Sequence, residues 1–204
     1  MASCVFVVRL ILAATLLLFG ATPWAATIAI VALVALLLAF NLRLPWGMEG
    51  ADDMAVHVAL GLAAYAVCRW LGAPSLGLYY IAAYAALAYV TAGVTKLAEP
   101  TWRSGVALAW VVNLEGFGAA WAAELLGPRP RLRRALSWTV MLAEVGAPLA
   151  ILLPAPGIVG ALAAGLVFHG SLAACMGLNT FVWAFAATYP AVLFVWAALR
   201  PLIG

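Results

Sequence analysis

Residues 135–199 read ALSWTVMLAEVGAPLAILLPAPGIVGALAAGLVFHGSLAACMGLNTFVWAFAATYPAVLFVWAAL, and Glu144 is the only formally charged side chain among these 65 residues. A water-soluble domain needs polar groups over its surface, and this stretch cannot supply them. A hydrocarbon core of about 30 Å takes about 20 apolar residues per helix, so the stretch supplies three spans. It therefore predicts an integral membrane protein with an all-α fold.

The composition of the whole chain agrees with this interpretation. Hydrophobic residues make up 68% of the 204 residues and charged residues 8%, against about 25% in soluble domains. The net charge of +3 does not indicate a nucleic-acid partner, because basic residues in membrane proteins orient the chain and meet anionic headgroups. The three cysteines form no CxxC motif, so neither a disulfide framework nor a metal site is predicted. We expect a multi-pass protein of the bacterial inner membrane or an equivalent bilayer.

Apolar runs separated by breaks predict about seven spans within a single domain, residues 1–204. The spans are residues 2–20, 24–40, 54–70, 76–96, 136–153, 157–175 and 180–199. The first run could also be a signal peptide, but the next apolar run begins almost at once, which favours a hairpin of two spans. Residues 127–134 hold four arginines, and the positive-inside rule places this loop in the cytoplasm.

Residues 100–127 differ from the spans because charged side chains alternate with tryptophans. The charged and polar residues are Arg103, Asn113, Glu115 and Glu124, and the tryptophans are Trp102, Trp110 and Trp121. Charges are costly at the centre of a bilayer, so we predict two short interfacial or re-entrant helices here. If this insert does not cross the membrane, Lys96 lies on the same side as the arginines; if it crosses, Lys96 lies on the opposite side.

The end of the fourth span reads YVTAGVTKL over residues 89–97, and WRSG follows at 102–105. This pattern resembles the signature of the HTTM family, the membrane domain shared with vitamin K-dependent gamma-glutamyl carboxylase. Three further blocks fit the same family: GADDM at 50–54, FH at 168–169, and MGLNTF at 176–181 with YP at 189–190. The resemblance covers roughly residues 45–195. The carboxylase also has a large extramembrane portion that binds its protein substrate, and this sequence has no counterpart to it.

The resemblance implies a role for Lys96, because the carboxylase uses a lysine base to start the oxygenation of reduced vitamin K. It implies a reduced quinone as cofactor, near Tyr89, Gly93 and Trp102, and a hydrophobic small molecule or a peptide as substrate. The residues allow two readings of Lys96. Its ammonium group could extend to the headgroups from a helix end, or it could lie in a pocket and act as a base. Tyr89, Gly93 and Lys96 share one helical face, and Gly93 leaves room for a ligand or another helix.

Two more polar residues lie within predicted spans, Glu144 in the fifth and His169 in the sixth. Both are candidate catalytic residues by their position, and a structural role in linking helices fits each of them equally well. Glu144 must be protonated, paired or next to a polar cavity, and pairing with Lys96 or His169 is the preferred hypothesis. Near the third span, His57 follows Asp53 by one turn and is expected to form a local contact.

Three classes of function therefore remain open. The first is a small membrane enzyme that uses a lipid quinol or another hydrophobic substrate, with Lys96 as base. The second is a non-catalytic component of maturation, immunity or transport. The third is a redox-associated membrane protein of the DoxX or MauE type, which the absence of paired cysteines weakens. No Walker loop, HExxH or GxSxG motif is found, which disfavours the common nucleotide, zinc-protease and hydrolase functions.

Overall fold

The computed structural model describes residues 22–43 and 50–203, and all regular structure in these ranges is helical. We number the α-helices in chain order. They are α1 (Pro23–Arg43), α2 (Gly50–Cys68), α3 (Ser75–Ala98), α4 (Pro100–Ser104), α5 (Val106–Val112), α6 (Ala120–Leu126), α7 (Pro130–Gly146), α8 (Ala155–Met176), α9 (Asn179–Ala186) and α10 (Tyr189–Ile203). Two 3₁₀ segments extend α2 and α7, at Arg69–Leu71 and Ala147–Leu152.

Five helical segments in the described part of the chain are long and apolar enough to cross a membrane. They are Gly50–Leu71, Ser75–Ala98, Pro130–Leu152, Ala155–Met176 and Asn179–Leu202. These match the third to seventh predicted spans, which makes the chain a multi-pass membrane protein. The second predicted span lies in α1, whose apolar part Pro23–Ala39 is shorter than a typical span. The first, residues 2–20, lies outside the described residues, so the total of seven stays a prediction.

Glycine and proline residues set the ends of the spans. Gly72 and Gly177 follow α2 and α8 with φ of 75° and 70°, a left-handed conformation that glycine adopts without strain. Pro190 has no N–H to continue the helix that precedes it, so the last span divides into α9 and α10 at Ala187–Thr188. These breaks lie close to those that the sequence predicts, except that the last span was expected to be continuous.

Helix α3 lies at the centre of the bundle and packs against α2, α7 and α10. It approaches α2 closely where two glycines, Gly61 and Gly77, face each other. A side chain at either position would overlap the opposite helix, so the two glycines allow this close contact. One hydrophobic core joins α2, α3, α9 and α10 around Met54, Ile81, Phe185 and Ala191. Helix α3 therefore contacts helices from both halves of the chain.

The insert at residues 100–127 consists of three short helices, α4 to α6, rather than the two that the sequence predicts. None of them exceeds seven residues, so none crosses a bilayer. Gly105, between α4 and α5, lies against the backbone of Arg133 and Arg134 at the start of α7. The end of α3 and the start of α7 therefore lie on the same side of the bundle, which decides between the two arrangements considered above.

The arginine-rich segment is partly helical, since α7 already begins at Pro130. Arg129 donates a hydrogen bond to the carbonyl of Leu125, and Arg133 donates to the carbonyls of Leu126 and Gly127. These carbonyls end α6 and have no partner within their own helix. The expectation of a loop that serves only as a topology anchor was therefore incomplete, because two of the four arginines also cap a neighbouring helix.

Candidate functional site

Lys96 and Glu144 form an ion pair between α3 and α7. The Lys96 Nζ atom donates hydrogen bonds to both carboxylate oxygens of Glu144, each at 2.7 Å. The Glu144 side chain is 7% exposed and the Lys96 side chain 22% exposed. The hypothesis that Glu144 pairs with Lys96 is confirmed, and the amine of Lys96 is turned into the protein rather than extended along the helix end.

Gly93 makes this pairing possible, because it lets the two helices approach. A Cβ atom at Gly93 would lie 2.8 Å from the backbone nitrogen of Val145 and 3.0 Å from the Cβ of Glu144. Of the two occupants considered for the gap at Gly93, the structure places a helix there. Gly93 and Lys96 lie about one turn apart on the same face of α3. Helix α7 packs against this face and brings Glu144 next to Lys96.

The pair lies deep along α7. Ten residues separate Glu144 from Arg134, which corresponds to about 15 Å along a helix. This distance is about half of the hydrocarbon core. The carboxylate is buried and the amine half-buried, so an unpaired charge on either would be disfavoured.

The helix α7 changes character directly after Glu144. Pro148 has no N–H to donate to the carbonyl of Glu144, four residues earlier, so the α-helical hydrogen bonds cannot continue. The chain passes into the 3₁₀ segment Ala147–Leu152 at this point. Short 3₁₀ stretches within longer helices often accompany functional sites. The irregular backbone here lies next to Glu144, the one charged residue of residues 135–199.

Trp102, on α4, completes the surroundings of Lys96. The Lys96 Nζ atom lies 5.4 Å from the centre of the Trp102 ring, within the range of a cation–π contact. Arg103, the next residue, donates hydrogen bonds to the carbonyls of Leu97 and Ala98 and so caps the end of α3. The Trp-x-x-Gly block thereby folds back over the lysine, which the sequence alone did not show.

A second polar pair links α3 to α8. The Tyr89 Oη and His169 Nε2 atoms lie 2.8 Å apart. His169 is 2% exposed, and its ring stacks on Phe185 at a centroid distance of 4.1 Å. Its Nδ1 atom has no hydrogen-bond partner among the described residues. Glu144 and His169 are both buried, so both side chains point into the bundle.

A cavity of about 440 Å³ lies between α3, α7, α8 and α10. Its polar lining comes from Tyr89, Glu144, Thr188 and Tyr189, and the rest is mainly alanine, glycine, leucine and isoleucine. Leu149 belongs to the lining and is 63% exposed on the outer surface, so the cavity opens toward lipid on that side. The volume lies within the range of small-molecule sites, which are mostly apolar with a few placed polar groups.

The cavity separates the candidate residues into two groups. Tyr89 and Glu144 line it, whereas Lys96, Gly93, Trp102 and His169 are not part of its wall. Lys96 lies behind Glu144 and His169 lies beside Tyr89, so each contacts a residue that lines the cavity. The structure thus brings all six sequence-predicted residues into one region, with two of them in direct contact with the space.

Sequence reasoning missed Tyr189 as a site residue, although it quoted the Tyr-Pro block. Tyr189 is the first residue of α10, and its hydroxyl is buried without a hydrogen-bond partner in the described part of the molecule. The break before Pro190 turns this side chain into the cavity rather than along a continuous helix. The signal available in the sequence was the helix-breaking proline within an otherwise apolar span.

The polar residues near the start of α2 form a separate cluster. His57 Nδ1 lies 2.9 Å from the backbone oxygen of Asp53, as the spacing predicts. The Tyr84 hydroxyl donates to the Asp53 carboxylate, and the rings of His57 and Tyr84 stack at 3.6 Å. This cluster does not line the cavity. It joins α2 to α3 and is consistent with a structural role.

Neither a metal site nor a similar protein provides a further indication of function. Within residues 22–43 and 50–203, no group of three or more histidine, cysteine, aspartate or glutamate residues is arranged to hold a metal ion. Comparisons of the chain with protein families, characterised proteins and solved structures found no match.

Proposed function

We propose that this protein is a membrane enzyme of the HTTM type, in a bacterial inner membrane or an equivalent bilayer. In this proposal it takes a lipid-soluble small molecule from the bilayer into the cavity. Lys96 and Glu144 then act together as the acid–base group. The observation that carries the proposal is the position of Glu144, which is paired with Lys96 and also lines an apolar cavity open toward lipid.

In this proposal the two residues take different steps. The Glu144 carboxylate is the member of the pair that reaches the cavity, so it accepts the proton from the ligand. The Lys96 ammonium is partly exposed, and it can lose a proton away from the cavity. As a neutral amine it then accepts the proton that Glu144 has taken, over a hydrogen bond of 2.7 Å. Lys96 is thus the base toward Glu144, and the net result is proton movement from the ligand to the outside.

Low polarity around the pair supports proton transfer within it. Separated charges are costly in hydrocarbon, and a neutral amine beside a neutral acid avoids much of that cost. The state with the proton on Glu144 is therefore closer in free energy to the ion pair than it would be in water. General acid–base groups contribute about 10²–10⁴-fold to a reaction rate when they are positioned in this way.

Hydrogen–deuterium exchange into an apolar ketone tests this proposal directly. The full chain in lipid nanodiscs is mixed with deoxybenzoin in D₂O, and deuterium at the acidic carbon is followed by mass spectrometry. We expect the protein to accelerate exchange and the Glu144→Gln variant to lose about 10²-fold or more of that acceleration. Glu115→Gln, on the exposed insert, is the matched control and should behave as the wild type. Equal acceleration by Glu144→Gln would contradict the proposal.

The second candidate function is a non-catalytic membrane component, and one observation favours it. The Lys96 ammonium contacts both oxygens of Glu144 and also lies over Trp102, so its charge is already compensated within the protein. For such a pair, holding α3 against α7 is a sufficient role, and no catalytic step is needed. Saturable binding of the ketone without any accelerated exchange would favour this alternative.

A further inference from the structure

We propose that the hydroxyl groups of Tyr89 and Tyr189 form a two-donor clamp for the carbonyl oxygen of an apolar ligand. This inference rests on the proposed ligand-binding function of the cavity and names the class of ligand. It predicts ketones, aldehydes or quinones rather than hydrocarbons, alcohols or amines.

Gly165 on α8 brings the two hydroxyl groups together. A Cβ atom at this position would lie 2.6 Å from the Tyr189 Oη atom and 3.8 Å from the Tyr89 Oη atom. The Tyr189 hydroxyl therefore takes the place that a side chain at Gly165 would fill, and the Tyr89 hydroxyl lies nearby. Tyr89 and Tyr189 come from different helices, α3 and α10, and both line the cavity.

The Tyr189 hydroxyl has a hydrogen to donate. It is buried and makes no hydrogen bond to any described residue. A buried polar group without a partner costs about 1–3 kcal/mol, so buried hydroxyls of this kind are uncommon in proteins. A ligand atom that accepts a hydrogen bond in the cavity would satisfy it.

The Tyr89 hydroxyl is also available as a donor, because of the tautomer of His169. A neutral imidazole carries its hydrogen on one ring nitrogen, and the partners of the two nitrogens decide which. A hydrogen on Nδ1 would be buried without an acceptor, since Nδ1 has no partner and the ring stacks on Phe185. When a ligand acceptor lies in the cavity, a hydrogen on Nε2 leaves no donor unpaired, because Nε2 donates to Tyr89 Oη and the Tyr89 hydroxyl donates to the ligand. The hydrogen of Tyr89 itself remains free for the cavity.

Two free O–H donors beside one space favour an acceptor with two lone pairs and no hydrogen of its own. A carbonyl oxygen has this property, and the mainly apolar lining suits the rest of an apolar carbonyl compound. The same two donors would stabilise the negative charge that develops on the oxygen when Glu144 removes a proton from the adjacent carbon. The C–H electron pair then forms a double bond to the carbonyl carbon, the π pair of the carbonyl moves to its oxygen, and the proton binds to the carboxylate.

Benzophenone and diphenylmethane form a matched pair of probes, since they differ in a carbonyl group against a methylene group. Tritiated benzophenone is equilibrated with the full chain in nanodiscs and attached by near-ultraviolet light, and the label on α8 is measured by peptide mapping. The two unlabelled compounds then compete for this site. We expect benzophenone to compete about tenfold more strongly than diphenylmethane, from two neutral hydrogen bonds.

Two variants remove the clamp in independent ways. Tyr189→Phe deletes one donor, and Gly165→Ala places a methyl group against the Tyr189 hydroxyl. Each should lower the preference for benzophenone from about tenfold to about threefold, because the Tyr89 donor remains. The controls are Tyr79→Phe on α3, which does not line the cavity, and Gly160→Ala on α8, where a Cβ atom would meet nothing within 4 Å. Both controls should keep the wild-type preference.

The outcomes separate the clamp from the ligand-binding function. Saturable labelling of α8 with an unchanged preference in Tyr189→Phe would overturn the clamp and leave the cavity as a binding site. Equal competition by the two compounds in the wild type would do the same. Labelling that neither compound can displace would overturn both the clamp and the proposed ligand binding.

Discussion

The Nζ atom of Lys96 lies 2.7 Å from both carboxylate oxygens of Glu144, on two helices that meet at Gly93. Each residue therefore depends on the other for its charged state within the membrane. Removing one partner leaves a charge within the bundle without compensation, which costs more free energy than removing both partners. This dependence can be measured without knowing the ligand.

We predict that the two single substitutions are not additive. Glu144→Gln should lower the free energy of unfolding by about 3 kcal/mol, because it leaves the Lys96 ammonium without a counter-charge. The double variant Lys96→Met with Glu144→Gln should recover most of this loss, since neither side chain is then charged. Reversible unfolding in mixed micelles gives the four values of the double-mutant cycle. A double variant that is as unstable as the sum of the two single variants would show that the residues act independently.

The contact at Gly93 gives a second prediction. Gly93→Ala should destabilise the bundle by about 1–3 kcal/mol, because the new methyl group overlaps the backbone of Val145 and pushes α3 from α7. Gly160→Ala is the control, because a Cβ atom there meets nothing within 4 Å and alanine favours a helix. The same unfolding experiment compares the two. Equal stability of the two variants would mean that α3 and α7 are not in close contact at Gly93.

The topology can be tested by labelling introduced cysteines, in a background without the native ones. Leu71→Cys and Glu115→Cys lie at opposite ends of the bundle, on exposed positions after α2 and after α5. We predict that a membrane-impermeant thiol reagent labels Glu115→Cys from the cytoplasmic side, with the arginine cluster, and Leu71→Cys from the other side. Labelling of both from the same side would contradict the arrangement in which the insert does not cross.

Much of the fold follows from hydrophobicity and helix breakers, which act locally. Residues 135–199 predict a membrane bundle because lipid is the solvent that accepts them, and Gly72, Pro154 and Gly177 mark where spans end. The extent of the short helices in residues 100–127 was less predictable. Their ends depend on packing against α7 and on capping by Arg129 and Arg133, and neither is visible in the local sequence.

The candidate site was predictable in its members and not in its arrangement. Charged or polar residues within apolar spans are rare enough to stand out, so Lys96, Glu144 and His169 could be chosen from the sequence. Which residue reaches the cavity depends on how the helices are rotated and on the 3₁₀ segment after Glu144. The family resemblance implied that Lys96 is the base near a ligand, whereas Glu144 is the member of the pair that lines the cavity.

Deuterium exchange by the Lys96→Arg variant tests the central claim most directly. Arginine keeps the positive charge beside Glu144, but the guanidinium stays protonated and cannot accept a proton. A melting temperature close to that of the wild type shows that the variant is folded. If Lys96 and Glu144 act as one acid–base group, this folded variant loses about 10²-fold or more of the accelerated exchange into deoxybenzoin. Exchange at the wild-type rate would contradict the claim and leave Lys96 as a structural counter-ion.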